Sequence, residues 1–157
     1  MKPVQTFLDE YGESHKNKIN KTIHWIFVPL IMFSIFGMLW QVQVPVETVP
    51  SWVNLATVSM LVVLGFYLRL SRPLFFGFIV VATLIILGNY YLAEALASKW
   101  LHLAVSAGIF FVSWVFQFIG HEIEGKKPSF IKDLQFLLIG PAWLLHFIYR
   151  KLGVPYQ

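Results

Sequence analysis

Residues 15–40 read HKNKINKTIHWIFVPLIMFSIFGMLW. Three lysines, two asparagines and two histidines lead into a run from Ile23 to Trp40 that is almost wholly apolar. A helix at the surface of a soluble domain carries an apolar stripe on one side only, whereas this run is apolar all round, as a buried or bilayer helix is. A membrane span needs about 20 mostly apolar residues. The stretch therefore reads as a membrane helix entered through a basic cap. Composition agrees, with 57% hydrophobic and 13% charged residues and a mean hydropathy of +0.67. A soluble domain carries about a quarter charged residues. The expected fold is all-α, a polytopic integral membrane helical bundle forming a single membrane domain over residues 1–157.

Working outward, further apolar runs extend over about Trp52 to Leu70, Leu74 to Leu92, Trp100 to Gly120 and Leu134 to Tyr149. QVQVPVETVP, RLSRP, AEALASK and HEIEGKKPSFIKD separate them. The last run is short and interrupted by Gly140-Pro141, so it either crosses or forms a broken, re-entrant hairpin. That gives four to five spans. Val4, Leu8, Tyr11 and His15 follow one face of a helix, which predicts an N-terminal amphipathic helix lying along the interface. The acidic, amphipathic start MKPVQTFLDEYGES is not the pattern of a secretory signal peptide.

Lys and Arg in short loops set orientation. Lys2, Lys16, Lys18 and Lys21 precede the first span, Arg69 and Arg72 lie in the second loop, and Lys126, Lys127 and Lys132 in the fourth. The first loop has none and the third only Lys99. The N-terminus and the even loops are thus expected to be cytoplasmic. Arg150 and Lys151 break the alternation if the last segment crosses. Trp25, Trp40, Trp52 and Trp100 fall at span ends, as an interfacial aromatic belt would. The net charge of +4 fits lysines facing anionic lipid rather than nucleic-acid binding.

On this topology His15, His24 and His121 converge at one membrane face, His102 lies near the other, and His146 follows the last segment. On one continuous helix His15 and His24 would sit on opposite faces, about 13.5 Å apart along the axis. A break near Asn17 to Asn20, with Asn20 as N-cap, lets His15 fold back over His24. In the fourth span Trp114, Gln117, His121 and Glu124 form a polar stripe, which on a membrane helix faces the bundle interior. Gly120 permits close helix approach, and Glu124, one turn beyond His121, is placed to orient its imidazole. His15, His24 and His121 are the candidate metal ligands, with Asn20, Gln117 and Glu124 supporting them. The chain has no cysteine, which excludes disulfides, thiolate metal sites and cysteine nucleophiles. It also has no Gly-rich nucleotide loop.

YGESHKNKINKTIHWIFVP, WVFQFIGHEIEGKKP and LLIGP together resemble the yeast-type 2-hydroxy fatty-acid dioxygenase family, small multi-span membrane proteins of fatty-acid α-oxidation. H-x4-N-x3-H-x4-P is met at His15, Asn20, His24 and Pro29, and W-x2-Q-F-x-G-H-x2-E-x3-P at Trp114, Gln117, Phe118, Gly120, His121, Glu124 and Pro128. Ser129 stands where the family pattern usually has alanine. The resemblance covers nearly the whole chain. It implies an Fe(II)-dependent dioxygenase that uses O2 to convert a 2-hydroxy fatty acid to the one-carbon-shorter acid and CO2, with His15, His24 and His121 as iron ligands. The expected location is an integral membrane one, the inner membrane in a bacterium or the endoplasmic reticulum in a eukaryote, and the Lys and Arg pattern puts the N-terminus and the metal site on the cytoplasmic side. Lys16, Lys18, Lys126 and Lys127 are candidates to meet the substrate carboxylate. A haem-binding membrane cytochrome and a metal-free scaffold or transporter remain the alternatives.

Overall fold

The computed structural model describes residues 4–46, 48–125 and 136–156. It is all-helical among these residues: α1 (Val4–Gly12), α2 (Lys18–Leu39), α3 (Leu55–Leu70), α4 (Arg72–Leu96), α5 (Lys99–Glu124) and α6 (Ile139–Leu152). Lys126, Lys127, Pro128, Ser129 and Lys132 lie outside the described residues.

Three helices, α2, α4 and α5, are long and apolar enough to cross a membrane, and α3 is a shorter apolar helix. α2, α4 and α5 outrun the apolar stretches that announce them because polar caps extend the hydrogen-bonded ladder past the apolar edge, whereas α3 starts three residues inside its stretch, at the Asn54 cap. Asn54 and Thr57 form a reciprocal capping box at the start of α3. Ser71 alone separates α3 from α4, ending one and capping the other, and Pro73 occupies the first turn of α4, where its missing N–H has no helical partner to lose. Ala97, at φ 48°, and Ser98, which caps α5, turn the chain between α4 and α5.

α2 and α5 run antiparallel and form the principal packing pair. Asn20 lies against Gly120 at one end, and Gly37 lies against Asn89 of α4 and Ser106 of α5 further along. α4 ends beside the start of the antiparallel α5 and so runs parallel to α2, meeting it where Gly88 lies against Phe33. The outer faces remain apolar, with Leu61, Val62, Phe76, Val80, Leu84 and Phe111 well exposed, as a lipid-facing surface is. Trp25, Trp52 and Trp100 are exposed as a belt requires, but Trp40 is buried, its ring packed edge-on to Tyr90. Its place at a span end coincides with the inward face of α2.

The last segment does not run the length of the bundle. Gly140 packs on Tyr11 and Val28, Tyr149 packs on Gly77, and the Tyr149 hydroxyl donates to the Pro73 carbonyl. Val28 is about 15 Å in from the start of α2, and Gly77 about 8 Å in from the start of α4. α6 therefore lies obliquely across one end of the bundle. Gly140-Pro141 does not interrupt a helix; it falls in the first turn of α6. Arg150 and Lys151 consequently sit at the same end as Lys16, Lys18, Lys21, Arg69 and Arg72, with Lys99 at the other. α1 covers α6, burying Val4, Leu8 and Tyr11, the stripe expected of an amphipathic helix.

Candidate metal centre

The chain leaves helical geometry over residues 13–17 and re-enters it at Lys18. The break between His15 and His24 exists, but it precedes most of the expected Asn17 to Asn20 interval. Asn17, not Asn20, is the N-cap: its Oδ1 accepts from Ile19 N–H at 2.8 Å. Either asparagine suits a cap by type, and the backbone of Lys16 and Asn17 is fixed from outside by α5, which selects the earlier one.

The turn brings His15 over the first turns of α2. Its ring stacks on Tyr11 at 4.2 Å between centroids and lies against Trp143 of α6. The His15 and His24 centroids are 4.1 Å apart, and each is 5.2–5.3 Å from His121. All three residues are buried, and one ring nitrogen of each lies within 4.8 Å of the others. His15 Nδ1 donates to the Tyr11 carbonyl at 2.6 Å, and His24 Nδ1 to the Asn20 carbonyl at 2.9 Å. A carbonyl oxygen only accepts, so both Nδ1 atoms carry hydrogen. The Nε2 lone pairs of the neutral rings are then available as ligands.

Asn20 is buried inside α2. Its Nδ2 donates to the Ser14 carbonyl and to Glu124 Oε2, both at 3.0 Å. Glu124 also accepts from Lys16 N–H at 2.8 Å and Asn17 N–H at 2.9 Å. Its carboxylate thus clamps the 13–17 turn to the end of α5. Glu124, expected to orient His121, places two of these hydrogen bonds on the turn that carries His15 and the third on Asn20 of α2. Gly120 lets Asn20 sit directly against the α5 backbone.

A cleft opens beside the imidazoles between α2, α5 and residues 136–140. His24, His121, Gln117, Val28, Trp114 and Phe136 are among its walls. Tyr11, Trp143 and the 136–140 segment complete the site; Tyr11 and residues 137–140 fall in stretches that carry the family resemblance, but no role was assigned to them there. A second signal was Tyr11 preceding His15 by four residues on the amphipathic stripe. The other histidines lie elsewhere. His102 is buried in the first turns of α5 and its Nε2 hydrogen-bonds Asn89 Oδ1 at 3.1 Å. His146 is buried on α6 between Phe147 and Tyr156, and burial first, then Arg150, holds its imidazole below the usual histidine range.

The donor set fits a divalent transition metal. Metal–nitrogen bonds of about 2.1 Å put ligand nitrogens about 3.4 Å apart in tetrahedral geometry, so closing from 4.8 Å or less asks at most about 0.8 Å of each side chain. Three neutral imidazoles leave coordination positions open, as catalytic rather than closed structural sites do, and imidazole suits Fe, Zn, Cu and Ni.

Comparison with known proteins places the chain in a family. The family described as 2-hydroxy-palmitic acid dioxygenase Mpo1-like matches residues 1–152. The 2-hydroxy-palmitic acid dioxygenase MPO1 of Saccharomyces cerevisiae is 31% identical over 152 residues, covering 96% of this chain and 82% of the yeast protein. No solved structure matches the chain. With a match that takes in the histidine-bearing turn, α2, α5 and all of α6, the chain belongs to the Mpo1-like family.

Proposed function

We propose that the protein is an Fe(II)-dependent dioxygenase that shortens 2-hydroxy fatty acids by one carbon. The observation that carries this reading is the buried triad His15, His24 and His121, opening onto a largely apolar cleft. The relationship to the yeast enzyme supports the substrate class. The reaction balances without an external reductant: R–CH(OH)–COOH and O2 give R–COOH, CO2 and H2O. The C1–C2 bond breaks, C2 is oxidised to the new carboxyl carbon and O2 is reduced.

When bound, iron supplies a Lewis acid and an O2-activating centre. His15 Nε2, His24 Nε2 and a His121 ring nitrogen hold it. Tyr11, stacked on His15, and Trp143 wall the rings off from water. The cleft takes the acyl chain between α2 and α5, away from the basic end. That end is assigned to the cytoplasmic side of a bacterial inner membrane or of the endoplasmic reticulum. A haem cytochrome fits poorly, because the three rings pack edge to edge and leave no flat gap for a macrocycle.

The test is iron content and O2 uptake of the detergent-purified chain with 2-hydroxypalmitic acid. One iron per chain and one O2 consumed per acid shortened are expected. Iron-loaded protein that consumes no O2 with any 2-hydroxy fatty acid refutes the reading, as does iron accounted for by a Soret band. Full function without metal would return the protein to the scaffold or transporter class.

A further inference from the structure

Gln117 lies on α5 one turn before His121, is 5% exposed, and lines the same cleft as His24 and His121. Its Nε2 is fully buried and has no hydrogen-bond partner among the described residues. Buried amide donors are almost always satisfied, and one left open at a cleft wall is a donor held for something that enters the cleft.

The order of groups along the cleft identifies the acceptor. α2 and α5 are antiparallel, so His24, Val28 and Ile31 descend one wall while His121, Gln117 and Trp114 descend the other. Each step is about one turn, or 5.4 Å. Polar imidazoles stand at the top, Gln117 one turn down, and mainly apolar side chains below. A 2-hydroxy fatty acid presents the same sequence: carboxylate, then the C2 hydroxyl, then hydrocarbon. With the carboxylate at the imidazoles and the tail among Val28, Ile31 and Trp114, the polar substrate atom nearest to Gln117 on the tail side is the hydroxyl oxygen, one carbon below the carboxylate.

We propose that Gln117 Nε2 donates a hydrogen bond to the C2 hydroxyl oxygen of the substrate and thereby selects 2-hydroxy acids over unsubstituted fatty acids. This rests on the dioxygenase reading and adds to it a specificity-determining residue. A site built to bond a hydroxyl discriminates against the analogue that lacks it, because the buried donor is then left unpaired.

The test is anaerobic binding to the full-length chain in detergent, which removes turnover from the readout. Trp114 lines the cleft, so tryptophan fluorescence follows occupancy by 2-hydroxypalmitic or palmitic acid. In Gln117→Leu, affinity for the hydroxy acid is expected to fall roughly tenfold, the scale of one neutral hydrogen bond with its donor, while affinity for palmitic acid stays unchanged. Gln117→Met, also unable to donate, serves if the leucine variant does not fold. A wild-type preference that survives intact in either variant overturns the role of Gln117 alone, as does an equal loss for both acids. A wild-type chain that binds neither acid overturns the dioxygenase reading itself.

Discussion

Replacing Glu124 tests whether the site is held together by its turn. Its carboxylate accepts from Lys16 N–H, Asn17 N–H and Asn20 Nδ2 at 2.8, 2.9 and 3.0 Å. A hydrogen bond to a charged group contributes about 1.5–3 kcal/mol, but the Lys16 end is exposed and solvent discounts it. Counting mainly the other two, with Glu124 itself half-buried, gives about 2 kcal/mol for keeping the turn closed over α5. At about 1.4 kcal/mol per decade, Glu124→Ala is expected to weaken metal binding roughly thirtyfold. That falls within the range of about 10–100-fold seen when residues supporting metal ligands are replaced. Glu124→Gln keeps one acceptor oxygen but presents an amide donor where an acceptor is needed, so an intermediate loss of about fivefold is expected. The assay is chelator competition for iron on detergent-purified protein, with far-UV circular dichroism to confirm retained helix. If Glu124→Ala holds iron within about twofold of wild type while His15→Ala loses it, the turn supports itself and the reasoning fails.

Each of His15→Ala, His24→Ala and His121→Ala should abolish iron binding and O2 uptake with helical content retained; full activity in any one removes that residue from the site. His102→Ala is the control: the residue is about 28 Å along α5 from His121, so iron should stay. The lost Asn89 contact and the cavity should cost about 2–4 kcal/mol, read as a lower midpoint of thermal unfolding. Gly120→Ala puts a methyl onto Asn20 Oδ1. Asn20 is tied to Ser14 and Glu124 and cannot swing aside, so a stability loss of about 1–3 kcal/mol and weakened iron binding are expected; an unchanged chelator titration would show that the clamp tolerates separation. Asn17→Ala should cost about 1 kcal/mol through loss of the α2 cap, visible in thermal unfolding and absent from Asn17→Ser.

Much of the architecture is written locally. The all-round apolar runs force α2, α4 and α5 to be long helices in a bilayer-like setting, because a backbone with no water partner must bond to itself. The Val4, Leu8, Tyr11 stripe fixes the buried side of α1. The nine-residue spacing of His15 and His24 alone demands a break between them if they are to meet, since unbroken helix holds them on opposite faces. The place of the break was not legible: two asparagines offer equivalent caps, and the choice depends on Glu124, more than a hundred residues away. Trp40 misled for a similar reason, as a tryptophan at a span end reads as interfacial whether it points to lipid or to Tyr90.

The sequence by itself determined the helical membrane class and the placing of His15, His24 and His121 at one end of the bundle, because the length and alternation of the apolar runs fix the spans and their ends. Tertiary structure alone decided that α6 lies across the end of the bundle, that Asn20 is a buried tie rather than a cap, and that Glu124 clamps the His15 turn. It also revealed Tyr11 and Trp143 as the walls around the imidazoles, and Gln117 as an unmatched donor in the cleft. Each of these depends on a contact between segments distant in the chain, and an isolated side chain carries no record of its eventual partner.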